Sequence, residues 1–205
     1  MRLTYRLSAL GVRLLARLLI GLRVRGVEKI PERGKLIIAA NHQSYLDPPI
    51  LGACLRREVH YLAKADLFKY PVFGTILRHL NALPLKRKDP DIQAVRQAVE
   101  ILQGGEAIVL FPEGGLGPTV DIRRAYSGVG FLAYQTGADV YPVYIKNTRR
   151  AWARVFKRCP IEINFGDPIR CGKLLTGDTN KKQDAYLAFS TEVMQRIAAL
   201  KAVNG

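Results

Sequence analysis

Leu36-Ile37-Ile38-Ala39-Ala40-Asn41-His42-Gln43-Ser44-Tyr45-Leu46-Asp47-Pro48 is the stretch from which the architecture of this chain can be read. Five apolar residues run without a break and stop at the polar pair Asn41-His42. So short an apolar run, bounded by polar residues, reads as a buried strand. The end of such a strand is where an open α/β sheet presents its chemistry. An acid, Asp47, follows His42 by one short loop, and Asp47-Pro48-Pro49 reads as an N-cap and a proline-started helix running toward Leu55.

Working outward, the same alternation repeats. Leu22 to Val27 reads as a short strand, and Ile30 to Gly34 as a turn. Val59 to Ala63, Ala82 to Leu85, Ala107 to Phe111, Val140 to Ile145 and Ile161 to Phe165 are further strands. Pro84 confines Ala82 to Leu85 to an edge. Asp89-Pro90 starts a helix with Ile92, Val95, Val99 and Leu102 on one face, and Gly104-Gly105 ends it. Val129 to Gln135 is a helix closed by Gly137, and Ala185 to Ala202 a terminal one with Leu187, Val193, Ile197 and Leu200 available for packing. No repeat or interdomain linker interrupts the pattern. The expected fold is α/β, a single sheet of about six or seven strands flanked by helices.

A chain of 205 residues accommodates one domain with an appendage and needs no staple. Its three cysteines, Cys54, Cys159 and Cys171, are odd in number and irregularly spaced, as expected of free thiols in a reducing compartment. No metal site is expected. The balance of 32 Lys and Arg against 17 Asp and Glu gives a net charge of +15. Such a field draws nucleic acid, anionic membrane or phosphorylated small molecules without choosing among them.

Residues 1–25 hold six arginines and no acid. On a helix, Arg2, Arg6, Arg13 and Arg17 share a narrow sector beside Leu3, Leu7, Leu10, Leu14 and Leu18, and Val12, Leu15 and Leu19 widen the apolar face. This pattern suits a helix lying in a membrane interface. Spanning would place Arg13 and Arg17 near mid-membrane at about 2.5–3.5 kcal/mol each. The alternative is a helix packed on the protein's own core with its arginines solvated. Residues 1–24 are therefore expected to be an interfacial, basic, amphipathic anchor, and residues 25–205 the functional domain.

Histidine suits proton transfer near neutral pH, and an acid that fixes its tautomer completes a general base. His42 and Asp47 are placed for such a pair, whose nucleophile would be a hydroxyl of the substrate. Equally, His42 could satisfy loop carbonyls while Asp47 caps its helix. His60 and His79 lack an acid at comparable spacing and read as structural. Glu113 and Gly114 follow a second buried strand, where glycine permits close backbone approach to a ligand. Lys64, Arg87, Arg123 and Arg124 are cations suited to a phosphate, although a single cation on so basic a chain is as readily a solvated one.

Together these residues resemble a known family. Asn41-His42-Gln43-Ser44-Tyr45-Leu46-Asp47 is similar to the N-H-x-x-x-x-D motif of the 1-acyl-glycerol-3-phosphate acyltransferases. Lys64 to Gly74 resembles the segment after it, and Asn81 to Arg87 the second block, with Arg87 the clear match. Phe111-Pro112-Glu113-Gly114 resembles the third block and Val140-Tyr141-Pro142-Val143 the fourth. The resemblance covers about residues 41–143, and four ordered blocks are far more specific than one.

It implies acyl transfer from acyl-CoA or acyl-ACP (acyl carrier protein) to the hydroxyl of lysophosphatidic acid, with His42 as general base oriented by Asp47. No bound cofactor and no nucleic acid are expected, and the enzyme is expected on the cytoplasmic face of a membrane, peripheral or monotopic. Two departures stand out. Asn81 and Pro84 replace the second block's glycine and phenylalanine. Gly115-Leu116 replaces the third block's Thr-Arg, whose arginine helps to hold the acceptor's phosphate. Arg87, Arg123, Arg124 and Lys64 are left to take its place, or the acceptor is a different lysolipid. A non-catalytic basic protein binding nucleic acid or membrane would explain the charge but not the four blocks, and no nucleic-acid motif occurs.

Overall fold

The computed structural model describes residues 3–86, 92–117, 124–150, 160–171 and 179–202. In chain order they form α1 (Leu3–Leu15), β1 (Arg23–Arg25), β2 (Leu36–Ala40), α2 (Asp47–Cys54), β3 (His60–Lys64), α3 (Pro71–His79) and β4 (Ala82–Leu85). These are followed by α4 (Ile92–Gln103), β5 (Ala107–Leu110), α5 (Gly128–Thr136), β6 (Asp139–Lys146), β7 (Glu162–Phe165) and α6 (Thr179–Ala202). The expected beginning of α4 at Asp89-Pro90 lies outside the described residues, as do Arg2, Arg87, Arg123 and Cys159.

The seven strands make one mixed sheet in the order β1-β7-β6-β2-β5-β3-β4. β4, β3, β5, β2 and β6 are mutually parallel, β7 runs antiparallel to β6, and β1 is parallel to β7. Parallel strands covered on both faces read as unbroken apolar runs, and every residue of β2 is buried. Leu36, Ile38 and Ala40 join Ile50, Leu51 and Cys54 of α2 in one core, while Ile37 and Ala39 join Ala98, Val129, Val193 and Ile197 in the other. The chain leaves β2 toward β3 on one side and later crosses from β5 to β6 on the other. The carboxyl end of β2 is thus the switch point of the sheet, where such folds bind ligands.

Two expectations change in detail. Pro84 does sit on the edge strand β4; of the face expected on α4, Leu102 is buried and Val95 and Val99 half-buried but Ile92 is exposed, while Ala94 and Ala98 are buried as well. Small alanines let the helix axis approach the sheet, and a large apolar residue gains nothing if its side of the helix is turned away. α6 begins earlier than expected and adds Phe189 and Met194 to the core. Asn81, standing where the resemblance calls for glycine, has φ +57°. Asparagine is among the few other residues that tolerate this left-handed conformation, so the turn into β4 survives the replacement.

α1 packs on α2 and continues as a wide turn, Ala16–Ile20, closed by Gly21 at φ +77°. Its described leucine side chains stay largely exposed. Tyr5 and Ala16 are buried and Val12 packs on the core, whereas Leu7, Leu10, Leu14, Leu15, Leu18 and Leu19 are 45–72% exposed. Arg13 turns partly inward, with its Nε buried. Its charge and that of Arg17 oppose the rise that burial imposes on the Cys54 thiol, which is still pushed up to about 12. Among the described residues no helix is long and apolar enough to cross a membrane.

Candidate active site

Asn41 prolongs the sheet past the end of β2. The last backbone pairing places Ala40 opposite Val143. One position later the buried Asn41 side chain donates to the Ile145 carbonyl at 2.9 Å and accepts from the Ile145 N–H at 2.7 Å. An amide is the side chain that reproduces both halves of a peptide group. This clip fixes where the chain departs from the sheet, and so where His42 stands.

The loop then folds back on one carboxylate oxygen. Asp47 Oδ2 accepts from the backbone N–H of Gln43 at 2.6 Å and of Ser44 at 2.8 Å, and lies 2.9 Å from His42 Nδ1. The two N–H groups can only donate, so Oδ2 is an acceptor. Nδ1 therefore carries its hydrogen toward Oδ2, and Nε2 is left with the lone pair. Asp47 is fully buried, while 13% of the His42 side chain is exposed. Nε2 makes no hydrogen bond to a described residue.

Asp47 is not the helix cap expected from its position. It is the first residue of α2, and Leu46 at the N-cap position offers no side-chain bond. Its carboxylate points back into the loop, because the loop supplies three donors at once. Asp47 Oδ1, buried and without a hydrogen bond, gains nothing from the helix either.

The loop after β5 closes on the histidine from the other side. The Phe111 ring stacks on the imidazole with centroids 4.0 Å apart and planes 20° from parallel. The buried Glu113 accepts the His42 backbone N–H through Oε1 at 3.1 Å. Glu113, expected to bind substrate, thus holds the main chain of His42. Gly114 has φ +71°, and a Cβ there would stand 2.8 Å from Tyr126 Cε2. Its lack of a side chain is required by backbone shape and by the Tyr126 ring together.

Of the expected cations, Lys64 and Arg124 are among the described residues. Lys64, at the carboxyl end of β3, pairs with Asp66 at 3.2 Å, and Asp66 also takes Lys69 at 3.0 Å. These two lysines hold the Asp66 carboxyl below its ordinary range. Arg124 is exposed, two residues before Tyr126, whose N–H donates to the Pro112 carbonyl at 2.9 Å. Arg87 and Arg123 lie outside the described residues. His60 and His79 do not join the site; His79 Nε2 is 3.0 Å from Ser8 Oγ of α1. Among the described residues no group of His, Cys, Asp and Glu is placed to hold a metal ion.

Asn41, Phe111 and Arg149 were not singled out from the sequence. Asn41 and Phe111 stood inside quoted motifs, and the polar break after the run Leu36–Ala40 was a usable signal for the first. Arg149 carried none, since its described partner, the Gly117 carbonyl at 3.3 Å, is 32 residues away.

Residues 21–146 match the family model described as Acyltransferase. The 1-acyl-sn-glycerol-3-phosphate acyltransferase of Bacillus subtilis is 25% identical over 167 residues, covering 80% of this chain and 82% of its own length. The lyso-ornithine lipid O-acyltransferase of Brucella abortus is 26% identical over 92% of this chain and 79% of its own. The crystal structure of the 1-acyl-sn-glycerophosphate (LPA) acyltransferase PlsC from Thermotoga maritima shares the fold at a TM-score of 0.73 and 24% identity, over 97% of this chain and 78% of that one.

Proposed function

The chain belongs to the acyltransferase family, as a glycerolipid O-acyltransferase similar to those that act on 1-acyl-sn-glycerol-3-phosphate, and we propose that it converts this acceptor to phosphatidic acid. The donor is an acyl thioester, acyl-CoA or acyl-ACP, and the reaction calls for no resident cofactor. His42 Nε2 removes the proton of the acceptor hydroxyl. The oxygen then attacks the thioester carbonyl, and the tetrahedral intermediate collapses as the carbon–sulfur bond breaks. The departing thiolate takes the proton from the imidazolium, which Asp47 steadies meanwhile.

One observation carries this reading: the three donors that converge on Asp47 Oδ2 leave His42 Nε2 as the basic edge of a partly exposed ring. General-base assistance of this kind contributes about 10²–10⁴-fold. The direct test is turnover of lysophosphatidic acid with labelled acyl-CoA by the wild type and by His42→Ala. A folded His42→Ala enzyme with wild-type turnover would end the proposal.

A second acceptor has support of its own. Gly115-Leu116 stands where the family pattern carries Thr-Arg, and the Brucella relative acts on lyso-ornithine lipid. Presenting both lysolipids in the same assay separates the two acceptors.

The exposed leucines of α1 support a peripheral position on a membrane, and the cytoplasmic face is proposed with it. Acceptor and product are both lipids, so an interfacial enzyme need not extract either. Arginines near an anionic surface contribute up to about 1 kcal/mol each. Removal of residues 1–22 is expected to release the protein from anionic vesicles, and unchanged co-sedimentation would rule the anchor out.

A further inference from the structure

The strands that flank β2 are β5 and β6, roughly 10 Å apart at about 4.8 Å per strand. One side chain joins the loops leaving these two strands. β6 ends at Lys146, and the chain turns at Asn147 with φ +71°, where the Asn147 amide donates to the Pro160 carbonyl at 2.9 Å. The short turn Thr148–Arg150 follows. From it Arg149 Nη1 donates to the Gly117 carbonyl at 3.3 Å. Gly117 belongs to the loop whose Phe111 stacks on the His42 ring and whose Glu113 holds its backbone. The guanidinium therefore reaches across from one neighbour of the His42 strand to the other.

Its charge is not spent there. A guanidinium presents five N–H donors in a planar fork, and the described contact occupies one of them on a neutral carbonyl. No carboxylate of the described residues forms an ion pair with it, whereas Lys64 and Lys69 share Asp66 and Lys146 pairs with Glu162 at 3.6 Å. The side chain of Leu116, the residue before Gly117, has no donor to offer. A solvent-facing guanidinium with donors to spare, pinned to the loop that builds the base, matches an oxyanion group in geometry and charge.

We infer that Arg149 binds the phosphate of the acyl acceptor; this rests on the reading of His42 as the base of a lysolipid acyltransferase. The test measures initial rates of the full chain, Arg149→Ala and Arg149→Lys with lysophosphatidic acid in mixed micelles, varying acceptor and acyl-CoA separately. For Arg149→Ala, KM for the acceptor is expected to rise roughly 10- to 100-fold, the loss of charge-assisted hydrogen bonds. Its KM for acyl-CoA should hold, and kcat should fall less than about threefold by the same argument, because uniform binding is what is removed. Arg149→Lys should recover part of the acceptor KM, since lysine keeps the charge without the fork. Glycerol 3-phosphate should inhibit the wild type competitively against the acceptor and lose potency in Arg149→Ala by a similar factor.

An unchanged acceptor KM, a rise in the acyl-CoA KM instead, or an equal loss of kcat in both variants would overturn the inference, the last marking a residue that merely positions the loop. The underlying reading is judged separately, by wild-type turnover of lysophosphatidic acid and its loss in His42→Ala. Were both present and Arg149→Ala indistinguishable from wild type, only the role of Arg149 would fall.

Discussion

The loop between β2 and α2 and the outer face of α1 are opposite solutions for strongly patterned sequence. In the loop the polar groups turn inward and find partners: Asn41 closes on Ile145, and Asp47 Oδ2 collects three donors. On α1 and the turn after it, Tyr5 and Val12 pack inward but Leu10, Leu14 and Leu18 turn outward and are all more than half exposed. A buried carboxylate without donors would cost several kcal/mol, so the loop's geometry is enforced from within. Exposed leucines each forgo up to about 1.5–3 kcal/mol of burial, which on the proposed function a lipid surface supplies. The contrast separates a site organised by the fold from an apolar surface for which a lipid phase is the proposed partner.

The largest effect tests the first side of the contrast. His42→Ala should lower kcat by about 10²–10⁴-fold with unchanged near-ultraviolet circular dichroism, because the ring makes one hydrogen bond and a stacking contact but carries no strand. Next comes the α1 face. Replacing Leu10, Leu14 and Leu18 together by serine should weaken association with anionic vesicles by roughly 100-fold or more, given about 1.5–3 kcal/mol per leucine. Melting in solution should be unaffected; a loss of stability there would mean that the leucines pack within the protein.

Asn41→Ala should cost about 2–4 kcal/mol, since the N–H and carbonyl of Ile145 are left buried without partners. In a domain of this size that is a fall of roughly 5–15 °C in melting temperature, and activity should drop as His42 loses its fixed point of departure. The smallest effect is titratable. Burial raises the Cys54 thiol from 9.0 to about 12. Above pH 9 the unfolded chain gives up this proton while the folded chain keeps it, so stability falls as pH rises through that window. At pH 10 the loss from Cys54 is about 1 kcal/mol, read as a shift in urea midpoint between pH 8 and 10 that Cys54→Ala reduces but does not abolish, since burial also pushes the Cys171 thiol up to about 11.

Much of this was legible in the chain. The bounds of β2 coincide with its apolar run because a parallel strand buried on both faces admits no polar residue, and Asn41 marks its end. The alternatives for Asp47 could not be separated by sequence, since the same residue at the same position suits a cap and a histidine partner alike. Only the path of the loop, bringing Gln43 and Ser44 N–H to one oxygen, turned the carboxylate away from the helix. Likewise, Glu113 was visible as the acid of a buried strand's exit, but not its use as a clamp on the His42 backbone.

By itself the sequence determined the α/β alternation, the central strand, His42 and Asp47 as candidate residues, and the family resemblance. These rest on local periodicity and on motifs whose members lie close together in the chain. The tertiary structure alone decided that Leu7, Leu10 and Leu14 face outward, that Ala94 and Ala98 rather than Ile92 are buried, and that Arg149 reaches the Gly117 loop. Each of these depends on which side of an element meets which neighbour. That is set by packing between residues far apart in the chain, which no local pattern encodes.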